Sequence, residues 1–106
     1  MSVEKRWSER KPIRMSVMLH YEPLGSVEGE TRDISLEGMF VEIPEPELPV
    51  HAEIEVSFVT HEANAVHHHR VPAYVVHTNE RGIGLMIRHV DYQNFHALRD
   101  MLEVAA

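Results

Sequence analysis

The chain has 106 residues, 10 basic and 17 acidic side chains, a formal charge of −7 and no cysteine. That length holds one domain with a core of its own, and the lack of thiols excludes a disulfide framework, a thiolate metal site and a cysteine nucleophile. The charge is unevenly placed: Lys5, Arg6, Arg10, Lys11 and Arg14 outweigh Glu4 and Glu9 in residues 1–14, whereas residues 15–106 carry a net −10. So acidic a body repels long nucleic acid, but the basic front end can still capture a small anion.

Residues 1–12 are polar, hold one Trp and end on a proline, and read as a mobile basic arm. From Ile13 the pattern becomes that of a strand. Ile13, Met15, Val17 and Leu19 alternate with Arg14, Ser16, Met18 and His20 until Pro23-Leu24-Gly25 makes a turn. A second, more polar strand is expected over Val27–Asp33, a bend at residues 35–38, and a third strand over Met39–Ile43. Three prolines between 44 and 49 bar that acidic segment from a central strand and make it a loop. A fourth strand follows over Ala52–Val59, a connection over 60–65, and a fifth strand over His67–His77, with Pro72 marking an edge or a bulge. Asn79-Glu80-Arg81-Gly82 turns the chain into a sixth strand over Ile83–Val90. The period then changes. Tyr92, Phe95, Leu98 and Leu102 recur at spacings of three and four, which predicts an amphipathic helix over about 91–104. The fold class is therefore all-β with a C-terminal helix: a six-stranded antiparallel barrel or sandwich over residues 13–106, with the helix packed on it.

Two constellations can carry chemistry. Arg10 and Arg14 stand four apart where the arm runs into the first strand. Arginine offers a planar fork of donors that matches phosphate oxygens and the O6/N7 edge of guanine. Arg6 and Arg10 have the same spacing. The bland alternative is a solvated basic arm. Between the second and third strands lies Asp33-Ile34-Ser35-Leu36-Glu37-Gly38, a D-x-S-x-x-G. Its carboxylate can accept from the paired donors of guanine, its hydroxyl can donate to phosphate, and its glycine permits close approach. The bland alternative is an Asp/Ser/Gly turn.

Taken together and in this order, the two resemble the PilZ domain family. The resemblance rests on ERKPIRMSVML at 9–19, RDISLEGMFVE at 32–42 and AYVVHTNERGIGLMI at 73–87, and covers almost the whole chain. It implies a Greek-key β-barrel with a terminal helix and the binding of cyclic di-GMP, a bacterial second messenger. By the family's pattern Arg10 and Arg14 read guanine edges and phosphate, and Asp33, Ser35 and Gly38 match the second motif. Arg6, Lys11, Trp7 and His77 are further candidates. Glu9 stands where many members carry Arg, which leaves the number of bound ligand molecules open. The resemblance also implies a protein effector that responds when the ligand orders the arm. The alternative is an adaptor that works through protein contacts alone, without ligand.

Other features point elsewhere or nowhere. Nine histidines include His67-His68-His69, of which His67 and His69 would share one strand face. No acidic residue at obvious spacing completes a metal site there, and a metal-dependent enzyme is the third and least supported reading. Met15, Met18, Met39, Met86 and Met101 read as core or near-core packing. No Gly-rich phosphate loop, G-x-S-x-G or H-E-x-x-H occurs, so the expectation is a protein that is not an enzyme, with no metal and no catalytic cofactor. No stretch approaches the roughly 18–20 apolar residues of a membrane span. The N-terminus lacks the apolar centre of a signal peptide, so a cytoplasmic location without membrane insertion is expected.

Overall fold

The computed structural model describes residues 9–44, 48–88, 96, 98, 99 and 102. Six strands follow one another: β1 (Ser16–Tyr21), β2 (Gly25–Ile34), β3 (Gly38–Glu42), β4 (Glu53–Glu62), β5 (Ala65–Thr78) and β6 (Gly82–Ile87). All neighbours are antiparallel, and the sheet closes in the order β1-β2-β3-β6-β5-β4. The chain thus leaves β3, crosses to β4 beside β1, and returns through β5 and β6 to β3. Closure matters physically, because it pairs the backbone groups that an open sheet would leave at its edges.

Period-two alternation fills the inside. Val17 and Leu19 of β1, Met39 and Val41 of β3, Ile54, Val56 and Phe58 of β4, Val71, Ala73 and Val75 of β5, and Ile83, Leu85 and Ile87 of β6 form one buried cluster. Each large side chain so buried contributes about 1.5–3 kcal/mol. The exposed ion pairs outside, such as Arg70 with Glu55 and Arg88 with Glu53, contribute roughly 0–1 kcal/mol each, so the inner column holds the barrel.

β2 reaches the core differently. Thr31 and Ile34 are both fully buried although three residues apart. Strict alternation forbids that, and a β-bulge between Thr31 and Asp33 permits it. A second bulge interrupts the β5–β6 ladder between Val75 and His77. Pro72 was expected to mark an edge or bulge but sits inside β5 opposite Glu55, with the irregularity displaced toward Val76. The expected connection over 60–65 is shorter than its sequence suggested. β4 continues to Glu62 and β5 begins at Ala65, leaving a two-residue turn with Ala63 at φ 53°. Among the described residues β1 pairs with β4 only over Met18–His20, and β6 meets β5 only from Ala73 on. Beyond Phe58 and His69 the β4–β5 hairpin therefore continues as a two-stranded ribbon that no third strand joins among the described residues.

The expected strand start at Ile13 moves to Ser16. Residues 11–15 nevertheless lie against β2, through Lys11 N–H to the Ile34 carbonyl at 2.8 Å and Ile34 N–H to the Lys11 carbonyl at 2.9 Å. Of the helix expected over 91–104, Tyr92 and Phe95 fall outside the described residues. Leu98 and Leu102 are fully buried in the core cluster. Met39 is buried and Met15 packs on the core, but Met86 faces outward and is 40% exposed. Arg6 and Trp7 of the arm, and residues 45–47 of the proline-rich loop, also lie outside the described residues.

Candidate functional site

Thr31 organises the approach to the site. Its backbone N–H donates to the Met15 carbonyl at 2.9 Å, its hydroxyl donates to the Ile13 carbonyl at 2.7 Å, and the Met15 N–H donates to that hydroxyl at 3.0 Å. The residues on either side of Arg14 are thereby fixed, and the Arg14 side chain is thrown outward. It meets Glu30 of β2 and Glu42 of β3, each at 3.2 Å. These two carboxylates are directly opposite each other across the strands. The hydrogen bond and charge of Glu42, then those of Glu30, hold the Arg14 guanidinium above its already high ordinary pKa. Arg10 reaches Asp33 at 2.7 Å. Lys11 lies between the two arginines in the chain, and its backbone forms the bridge to Ile34.

The second motif divides into two parts. Asp33 stands on the outer surface, 23% exposed, with Arg10 on one oxygen and Arg32 Nε 3.5 Å from the other. Ser35 is buried and spends its hydroxyl inside the turn. It accepts from the N–H groups of Glu37 at 3.1 Å and Gly38 at 3.2 Å, and lies 3.4 Å from the Gly38 carbonyl as donor. Gly38 is needed for close packing, because a Cβ there would collide with the carbonyl oxygen of Leu85 on β6. In this arrangement Ser35 and Gly38 build the bend that follows β2, and Asp33 is the member of the motif offered to solvent.

The register extends the site across four strands. Asp33 of β2 is opposite Phe40 of β3, Phe40 is opposite Gly84 of β6, and Gly84 is opposite His77 of β5. All four belong to the outer row, since their neighbours Met39, Val41, Ile83 and Leu85 fill the core. His77 lies over Gly84, in the space a Cβ there would take, and stacks toward Phe40 with ring centroids 6.0 Å apart. Arg32 covers the Phe40 ring at 4.1 Å from its centroid. Phe40 is only 3% exposed although it is not part of the core cluster. The structure thus brings Arg10, Arg14, Asp33 and His77 to one outer face. Sequence reasoning missed Arg32, Phe40, Gly84, Thr31 and the Glu30/Glu42 pair. The one available signal was the pair of outward glycines in Gly82-Ile83-Gly84.

The histidine cluster lies apart, on the projecting hairpin. His67 and His69 do share a face, with ring centroids 6.4 Å apart; His69 stacks on Phe58 at 5.1 Å and meets the Thr60 hydroxyl at 2.8 Å. Among the described residues no three His, Cys, Asp or Glu side chains gather in a metal-binding group. A groove of about 740 Å³ runs between the start of β1 and this hairpin, lined by residues such as Met15, Met18, Phe58 and His69. It touches none of the outer row and none of the acids that face the arginines.

The profile described as "PilZ domain" matches residues 4–103. The chain belongs to the PilZ domain family. A crystal structure of the PilZ domain of CeSA from a cellulose-synthesizing bacterium has a similar fold, with a TM-score of 0.78 at 17% identity, over 92% of this chain and 98% of that one. Comparison with curated proteins gives no significant match. PilZ domains are generally receptors for cyclic di-GMP and act by binding; no catalytic family is indicated. Among the described residues no helix is long and apolar enough to cross a membrane.

Proposed function

We propose that this PilZ domain is a receptor for cyclic di-GMP, which it holds on the outer face of β2, β3, β6 and β5. The observation that carries the reading is the meeting of its two motifs: Arg10 and Asp33, 23 residues apart, join at 2.7 Å. Both arginines are already matched to carboxylates, and the phosphates and guanine edges of the ligand offer the same acceptor geometry. Binding then becomes an exchange, in which Arg10 and Arg14 leave Asp33, Glu30 and Glu42 for the ligand. The freed Asp33 accepts from the donor edge of a guanine. Ser35 and Gly38 serve by shaping the turn that follows Asp33. Lys11, Arg6 and Trp7 belong to the same arm, which closes over the ligand, and His77 bounds the far end of the row. The reordered arm is the surface a protein effector reads.

Calorimetry with cyclic di-GMP, and with GTP as control, tests this. The wild-type protein is expected to bind the cyclic dinucleotide saturably and GTP far more weakly. Each bidentate arginine–guanine contact is worth about 1–3 kcal/mol, so Arg14→Ala should weaken binding by roughly 5- to 150-fold, and Asp33→Ala, which removes the acceptor for the guanine donor edge, should weaken it as well. A folded wild-type protein that gives no binding heat and no chemical-shift change would sink the reading.

A further inference from the structure

Arg32 belongs to neither motif, yet it occupies the middle of the outer face. The bulge between Thr31 and Asp33 is what puts it there. With the extra residue, Thr31 and Ile34 keep to the core while Arg32 and Asp33 are both released to the outside. The guanidinium of Arg32 lies over Phe40, and its Nε is 3.5 Å from Asp33. These two partners fix the side chain from below and from one edge. With both partners in place the side chain is still 40% exposed. Phe40 itself, at 3% exposure, has no free face to offer. Arg32 therefore replaces the aromatic surface that it covers. Beyond it the β6 residue that stands between Phe40 and His77 in the register is Gly84, so no β6 side chain rises between this shelf and His77.

We propose that Arg32, seated on Phe40, is a stacking face for one purine base of the ligand, beside the Asp33 carboxylate that takes the edge of that base. The inference rests on the reading of the domain as a cyclic di-GMP receptor and adds a residue that sets its preference for a purine. A planar, weakly hydrated guanidinium can stack on a phenyl ring and a base at once. An ammonium cannot, so the identity of the cation matters and not only its charge. Phe40 acts through Arg32 as a positioning residue.

The test is calorimetric titration of the whole chain, wild type, R32K and R32A, with cyclic di-GMP. Stacking on a protein group is worth about 1–3 kcal/mol per base. R32K is therefore expected to bind roughly five-fold or more weakly although its charge is kept, with R32A no better. Unliganded R32K is expected to melt close to the wild type, because its aliphatic stem still covers Phe40. If R32K melts early, the wild type and R32K are both titrated at a temperature at which R32K is folded. Wild-type binding with R32K equally tight overturns the inference and leaves the receptor reading standing. A wild type that does not bind overturns the receptor reading and the inference with it.

Discussion

Thr31 and the Glu30/Glu42 pair frame Arg14 from two directions, and the two kinds of contact have different consequences. The buried Thr31 hydroxyl satisfies one donor and one acceptor of the segment that carries Arg14. Thr31→Val keeps the shape and removes both partners, leaving the Met15 N–H and Ile13 carbonyl short of a bond. It should cost about 1–3 kcal/mol of stability, read as a lower urea midpoint with an unchanged slope. The carboxylates act oppositely. Glu30 and Glu42 hold the guanidinium of Arg14, which the proposed binding mode gives to the ligand, so Glu30→Gln with Glu42→Gln should tighten cyclic di-GMP binding with little effect on folding, measured by the same calorimetry. Weaker binding by that double variant would mean that the two acids position Arg14 productively and do not compete for it.

At the level of elements, the bulges and the projecting hairpin are the features that departed from simple alternation. Six strands, their order in the chain and their inward residues were legible, because Val, Ile and Leu at period two leave little choice of face. The bulges were not. A bulge inserts one residue for reasons of cross-strand fit, and in the run Thr31-Arg32-Asp33-Ile34 nothing but the pairing with β3 reveals it. The length of the β4–β5 hairpin was also hidden, since Glu62-Ala63-Asn64-Ala65 carries a weak turn signal and Ala63 takes a left-handed angle that Asn or Gly would favour. Ala63→Asn should therefore raise the melting temperature. A ribbon of two strands without a third is marginal. Hydrogen exchange should find the amides of 65–69 opening well before those of 71 and 73–75, which lie over the core; equal protection would mean that the ribbon is held by something besides its own ladder.

On the scale of the molecule, the basic front end and acidic body read from the charge count correspond to arginines seated on acids, and the sequence could not tell which acids. Asp33 was identified by its motif. Glu30 and Glu42 were lost among the acidic residues of the body, because only the β2–β3 register makes them one site. Their presence changes how the receptor responds to salt. An empty basic groove loses its ligand as ionic strength rises, since screening weakens charge attraction and nothing is gained in return. Here salt loosens the internal pairs of Arg10 and Arg14 as well as the pairs they would make with phosphate. The two losses offset, and the affinity for cyclic di-GMP should change little with salt across the physiological range. The Glu30→Gln, Glu42→Gln variant should bind more tightly at low salt and show a steeper decline. A receptor that carries its own counter-anions in this way would report the amount of messenger and be insulated from the ionic strength around it.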